Sequence, residues 1–355
     1  MTRVRRATVL TASVLLVLVA SAAPAAAHGA QSAPATNQEP RIHSVTPARS
    51  GLVVRIVDVG EHVEVRNETT TEVTVLGYDN EPYLRVGPDG VFRNRRSPAT
   101  YWNEQELQTR ALPDSFDAEA PPDWERISGG RVVRWHDHRA HWMGAEPHGT
   151  GQVLSTWEIT LLAGDDEIVV RGDIVQRAAP SPLGPLAFGA GLALAVALAS
   201  RTRAWPFVLL FALLALSGFA ALDVVGRWGA TTRSGPTKAF EGIYTMAGGA
   251  LAAWAAVRLA RASRRGDPYD TTPMVLLSAL VVTLAIALAQ LPWLGRAVLP
   301  TEVPGSLARA LAGVAVGIGC GTTLGAALRL RRPEDDLAPA APTRPISPVD
   351  PHPAA

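Results

Sequence analysis

The sequence predicts two structural classes in one chain: an exported all-β domain of immunoglobulin-like sandwich type, then an α-helical membrane region of about five helices. Three observations carry this expectation. The chain of 355 residues starts with a secretory-signal pattern, continues through segments that alternate apolar and polar residues, and finishes in long uncharged apolar runs.

The signal comes first. Arg3, Arg5 and Arg6 precede an uncharged apolar stretch, residues 7–27, that ends in Ala25-Ala26-Ala27. A basic start, a short apolar run and an A-x-A site are the marks of a secretory signal. Residues 1–27 are therefore expected to be removed, leaving His28 as the new N-terminus. Its amine and imidazole nitrogens would then sit at chelating distance, a donor pair that suits copper. Residues 28–48 are rich in Ala, Pro, Gln and Ser and read as a flexible leader.

Residues 49–178 carry the β pattern. LVVRIVDV, HVEVRN and TEVTVLGY each alternate β-branched with polar residues, and PYLRV and VFRN flank the turn Gly87-Pro88-Asp89-Gly90. STWEITLLAG and DEIVVRGDIVQR flank Gly164-Asp165 as a second hairpin. Short strands at this spacing predict a sandwich. A longer irregular stretch, 94–130, holds Tyr101, Trp102 and Trp124, and a connection of that length is more often functional than idle.

The most distinctive string runs from Arg134 to Met143, RWHDHRAHWM, with His148 beyond it. If the strand continues through it, His136 and His138 face one side and share a ligand, with His141 or Met143 closing the site. Histidine with methionine suits copper, and histidine with a carboxylate such as Asp137 suits zinc. Trp135, Asp137, Arg139 and His148 equally suit a buried polar network or a site for an anionic headgroup. Arg134 and Arg139 would repel a cation unless each is paired. The chain has a single cysteine, Cys320, which excludes an intrachain disulfide and a multi-thiolate zinc site. No Ser/His/Asp arrangement is recognisable, so a non-enzymatic role is expected.

Apolar runs occur at 183–200, 204–222, 242–257, 273–295 and 310–328, within a membrane region of 183–330, and a Pro/Ala-rich tail, 331–355, reads as disordered. Each run approaches the roughly 20 residues that cross a bilayer. With the β domain exported, nine Arg residues (201, 203, 258, 261, 264, 265, 329, 331 and 332) fall on the cytoplasmic side. Five basic residues (Arg227, Arg233, Lys238, Arg296 and Arg309) fall outside. That bias agrees with the positive-inside rule and predicts a multi-pass plasma-membrane protein with a cytoplasmic C-terminus. Asp223, Arg227, Lys238 and Glu241 gather near the outer ends of the second and third helices and are expected to pair at the membrane interface. Gly313, Gly317, Gly321 and Gly325 recur every four residues, a face that admits a close helix neighbour. The net charge of +1 gives no field for nucleic acid.

Two resemblances follow from these residues. The stretch Ile42-His43-Ser44-Val45-Thr46-Pro47-Ala48-Arg49-Ser50-Gly51, after an Ala-rich junction to His28, resembles the start of periplasmic copper-resistance β-sandwiches of the CopC type. Those, when fused to membrane helices, accompany a CopD-like copper permease. Here the Ser-to-Pro and Pro-to-Gly spacings are each one residue longer than in that family. The whole chain also resembles actinobacterial membrane proteins that join a signal, a β domain and a helical anchor, a resemblance that assigns no activity. The sequence thus leads to an envelope protein whose β domain binds or scaffolds something outside the membrane. Its expected partners are the bilayer and either an envelope protein or a metal ion. Copper or zinc handling by His136, His138 and His141, and an enzyme acting on envelope lipid or wall precursors, are the alternatives.

Overall fold

The computed structural model describes residues 34–105, 111–144, 149–233 and 235–330. The signal, the tail 331–355, His28 and His148 lie outside the described residues.

Among the described residues ten strands form two antiparallel sheets. β1 (Gln38–Thr46), β4 (Val73–Leu76), β5 (Pro82–Gly87), β6 (Gly90–Asn94), β7 (Trp124–Ser128), β9 (Val153–Ala163) and β10 (Asp166–Gln176) build a seven-stranded sheet in the order β1-β10-β9-β4-β5-β6-β7. β2 (Leu52–Val57), β3 (His62–Asn67) and β8 (Val132–Trp135) build a three-stranded sheet in the order β2-β3-β8. Period-two alternation decides which side chains meet. Val73, Val75, Leu84, Val86, Ile159, Leu161, Ile168 and Val170 from the large sheet share one core with Leu52, Val63, Val65, Val133 and Trp135 from the small one. Each such side chain, fully buried, contributes about 1.5–3 kcal/mol. On the outer face of the small sheet Glu64 lies opposite both Arg55 and Arg134, and its carboxylate accepts from each at 2.6 Å. Burial alone would raise the Glu64 pKa, but these two guanidinium groups hold it below the usual carboxylate range.

Two expectations change. Residues 38–46, assigned to the leader on composition, form strand β1, paired with β10 from Gln38↔Gln176 to Thr46↔Val169. β1 is an edge strand, where Pro40 loses no ladder bond that a neighbour needs. The stretch 94–130 contains the short helix α1 (Pro98–Trp102), capped by Ser97, and strand β7. The Asn67 side chain is buried, its amide donating to the carbonyls of Thr71 and Val86, so the N-x-T sequence there serves a turn.

Five longer helices follow: α2 (Leu183–Ala199), α3 (Trp205–Ala230), α4 (Gly235–Arg264), α5 (Thr272–Gln290) and α6 (Gly305–Leu328). Trp205, Leu209, Leu213 and Leu216 fall on one face of α3 and pack against Ala252, Ala255, Ala256 and Leu259 of α4 and Val275, Ala279, Val282 and Ile286 of α5. The other face of α3 exposes Phe207, Phe211, Leu214 and Val225. A helix apolar on both faces belongs in lipid. Among the described residues three spans are long and apolar enough to cross a membrane: Trp205–Ala230, Tyr269–Gly295 and Gly305–Leu328. α2 is apolar but only 17 residues long, and α4 carries Lys238 near its start and Arg258, Arg261 and Arg264 near its end.

The glycine face of α6 has a partner within the chain. A Cβ at Gly313 would lie 2.5 Å from the Pro185 carbonyl oxygen, and one at Gly317 would strike the Gly189 backbone. One at Gly321 would meet Ala193 and Val196, so backbone lies on backbone along the α2–α6 seam.

The β domain rests on one end of the helices. The Asp58 carboxylate accepts from Thr232 N at 2.8 Å and Thr232 Oγ1 at 2.6 Å, in the α3–α4 connection. Thr36 and Val298 exchange two backbone hydrogen bonds and Asn37 Oδ1 accepts from Ala297 N at 2.8 Å, in the α5–α6 connection. At the other end of α3, Arg329 donates to the carbonyls of Ser200 and Thr202.

Candidate metal centre

Strand β8 stops at Trp135, and Asp137 is the reason. Its Oδ1 accepts from the backbone N–H of Arg139 at 3.0 Å and its main-chain carbonyl from Ala140 N, closing a tight turn. The carboxylate is buried, takes Trp135 Nε1–H at 2.7 Å, and is gripped by Arg139 through Nε at 3.0 Å and Nη2 at 2.8 Å. Arg139 also donates from Nη1 to the Gly77 carbonyl and stacks over Tyr78 at 4.8 Å. Burial pushes the Asp137 carboxyl up, but the bonds and charge of Arg139 outweigh it and keep the group ionised. Trp135, Asp137 and Arg139 are thus a closed structural network.

The same turn places His136 and His141 side by side, ring centroids 4.8 Å apart. The register Val63↔Trp135 between β3 and β8 brings the β2–β3 turn beside them. That turn, Asp58-Val59-Gly60, has three successive left-handed residues, with φ of 52°, 60° and 98°. A β-branched residue such as Val59 rarely adopts this conformation. The turn aims carbonyls at the histidines: Glu61 O accepts from His136 Nδ1 at 2.9 Å and Gly60 O from His141 Nδ1 at 3.4 Å. A carbonyl only accepts, so each Nδ1 donates a proton to it, which in a neutral ring leaves the Nε2 lone pair for a ligand. Metal-bound histidines are oriented in this way. Burial, reinforced by the neighbouring histidines, lowers the His136 pKa and favours the neutral ring a metal requires.

Glu61 completes the group. One ligand atom each from Glu61, His136 and His141 lies within 4.8 Å of the others, all three residues half-buried. Zinc bonds of about 2.0–2.2 Å place tetrahedral ligand atoms about 3.3 Å apart, so the set would have to contract by roughly 1.5 Å. The Glu61 carboxylate, on a flexible side chain and 3.8 Å from His136 Nδ1, would have to swing toward the Nε2 atoms to close the set. Of the nearby arginines, Arg139 is paired with Asp137, and Arg134 shares the Glu64 carboxylate with Arg55.

The structure therefore regroups the residues singled out in sequence. His138 lies beside the Glu61–His136–His141 group: its ring meets His136 edge-on at 4.9 Å, its Nε2 lies 3.0 Å from the Gln105 carbonyl, and its backbone N–H donates to Tyr78 Oη. The expected shared strand face for His136 and His138 does not exist, because both residues lie past the end of β8. Met143 is 40% exposed. Glu61, not singled out in sequence, is the carboxylate that lies beside His136 and His141.

In the helical half, Asp223 is buried and pairs with Arg227. Arg227 Nε donates to both its oxygens at 3.0 and 3.1 Å, and Gln290, from α5, donates at 2.6 Å. Arg227 lies over the Trp293 ring at 4.5 Å. Lys238 instead donates to the Trp228 carbonyl at 2.8 Å, and the Glu241 side chain lies outside the described residues. Comparison with protein-family models, with curated proteins and with solved structures returned no match to this chain.

Proposed function

We propose that this chain is an integral membrane protein of the cell envelope whose extracytoplasmic β domain is a non-enzymatic binding module for a divalent transition metal. The observation that carries the reading is the convergence of Glu61, His136 and His141, with each histidine Nδ1 anchored on a carbonyl of the turn that supplies the carboxylate. Two imidazoles and a carboxylate suit Zn(II) or Cu(II) and leave a fourth position for water or another ligand. In this reading all five long helices cross the bilayer, α2 and α4 as the shorter and more charged members. The connections that touch the β domain face outward, and the arginine-rich ones face the cytoplasm, in line with the charge bias.

The test is a titration of the full chain in detergent with Zn(II), Cu(II) and Cu(I). Wild type is expected to bind Zn(II) or Cu(II) below micromolar Kd. His136→Ala/His141→Ala should lose at least about 100-fold, beyond the 10–100-fold typical of outer-shell changes. His138→Ala should stay within about 10-fold, as a neighbour of the site rather than a ligand. Binding no tighter than micromolar by wild type, or equal binding by the double variant, would overturn the reading.

A further inference from the structure

The four-residue turn that offers Glu61 to the histidines also holds the β domain on the helices. Asp58, at one end, accepts both Thr232 N and Thr232 Oγ1, and its carboxylate is further paired with His62 Nδ1 at 3.0 Å. Gly60 and Glu61, at the other end, bond the two histidines through their carbonyls. Between them lies Val59 at φ 60°. Left-handed non-glycine residues are strained and persist where surrounding contacts over-determine them. Here those contacts come from two directions: the helical half through Thr232, and the metal group through Glu61. Neither set of contacts is independent of the turn's conformation.

We propose that metal occupancy at Glu61, His136 and His141 is coupled to the docking of the β domain on the α3–α4 connection, with the strained turn 58–61 as the shared element. The coupling rests on the metal reading above. Ligation of the Glu61 carboxylate fixes the turn in the conformation in which Asp58 reaches Thr232. By linkage, the Asp58–Thr232 contact in turn raises metal affinity by the same factor. The backbone of the turn is already bonded to both histidines, so only a side chain must close, and the bound state favours the present docking over an undocked one. A protein built this way reports an external metal to its membrane half.

The test uses the full chain in nanodiscs with Zn(II) as the probe. Thr232→Val removes one donor to Asp58 from the helical half, 174 positions away in sequence, and touches no ligand. Asp58→Asn keeps a residue that tolerates the left-handed region while removing the charge. Each variant is expected to weaken Zn(II) binding about 5-fold or more, the lower end of measured site-to-site couplings. Hydrogen exchange on wild type, which needs no variant, should show zinc slowing the Thr232 amide, because that N–H donates to Asp58. Zinc binding of equal affinity in all three proteins, with unchanged exchange at Thr232, would overturn the coupling and leave the metal site standing. No zinc binding by wild type would overturn both.

Discussion

Asp137→Ala is expected to destabilise the β domain by about 3–5 kcal/mol, the loss that follows when one partner of a buried ion pair is removed. The pair qualifies as buried: the Asp137 side chain is 0% exposed and that of Arg139 is 20% exposed. Four donors lose their acceptor at once, namely Trp135 Nε1, the Arg139 backbone N–H, and Arg139 Nε and Nη2. No solvent replaces it, because Trp135 sits in the core, edge-on to Tyr83 at 6.3 Å. Thermal unfolding of the full chain, followed by tryptophan fluorescence, measures the loss. Arg139→Met strands the carboxylate and should cost a similar amount. The double change, Asp137→Leu with Arg139→Met, should cost much less than the two singles added, as apolar replacement of a whole pair often does. A fully additive double variant would show that the two side chains act separately.

That network and the metal group share a turn but divide its labour. Asp137 and Arg139 point back into the domain and fix where the chain reverses, while His136 and His141 point to the β2–β3 turn. Arg139 is neutralised by Asp137, while Arg134 shares the single charge of Glu64 with Arg55. A buried polar network and a histidine–carboxylate group, alternatives at the level of sequence, are adjacent here, each with its own residues.

What was legible in the sequence follows from the range of the interactions involved. The hairpins β5–β6 and β9–β10 were readable because Gly87 to Gly90 and Gly164-Asp165 encode their turns locally, and the register follows. Strand β1 was not, because an edge strand tolerates Pro40 and needs only half its residues inward. β7, WERIS, is exposed along most of its length and has no apolar alternation to detect. At the site, the cluster was visible as composition but its membership was not. His136 and His138 are two apart, which on a strand means one face; the Asp137 turn breaks that rule. Glu61 lies 75 positions from His136, and only the pairing of β3 with β8 brings them together. Long-range register is the information a single sequence does not display. The buried Asp223–Gln290 bond was missed for the same reason, its partners standing 67 positions apart on different helices.

Gly317→Leu is the second large effect, and it is expected to detach α2 from the helical bundle. α2 buries only Gly189 and Ala197 and exposes Leu183, Leu186, Phe188, Leu194 and Leu198, so its hold on the bundle depends on close approach to α6. At the crossing a Cβ on Gly317 would strike the Gly189 backbone, which has no side chain to rotate away. Overpacking a core costs about 1–3 kcal/mol where side chains can yield; backbone against backbone should reach or exceed that upper value. In a bilayer no hydrophobic effect between helices offsets the loss, since lipid is as apolar as leucine. Gly191→Leu supplies the control. It is the same substitution on the same pair of helices, yet nothing lies within 4 Å of a Cβ there, so the side chain meets open space and stability should change by less than about 0.5 kcal/mol. Thermal unfolding in a matched detergent, with Cys320 labelling rate as a second readout on α6, separates the two variants. Equal behaviour of Gly317→Leu and Gly191→Leu would mean that the glycine seam does not hold α2, and that the close α2–α6 contact is incidental to the stability of the membrane half.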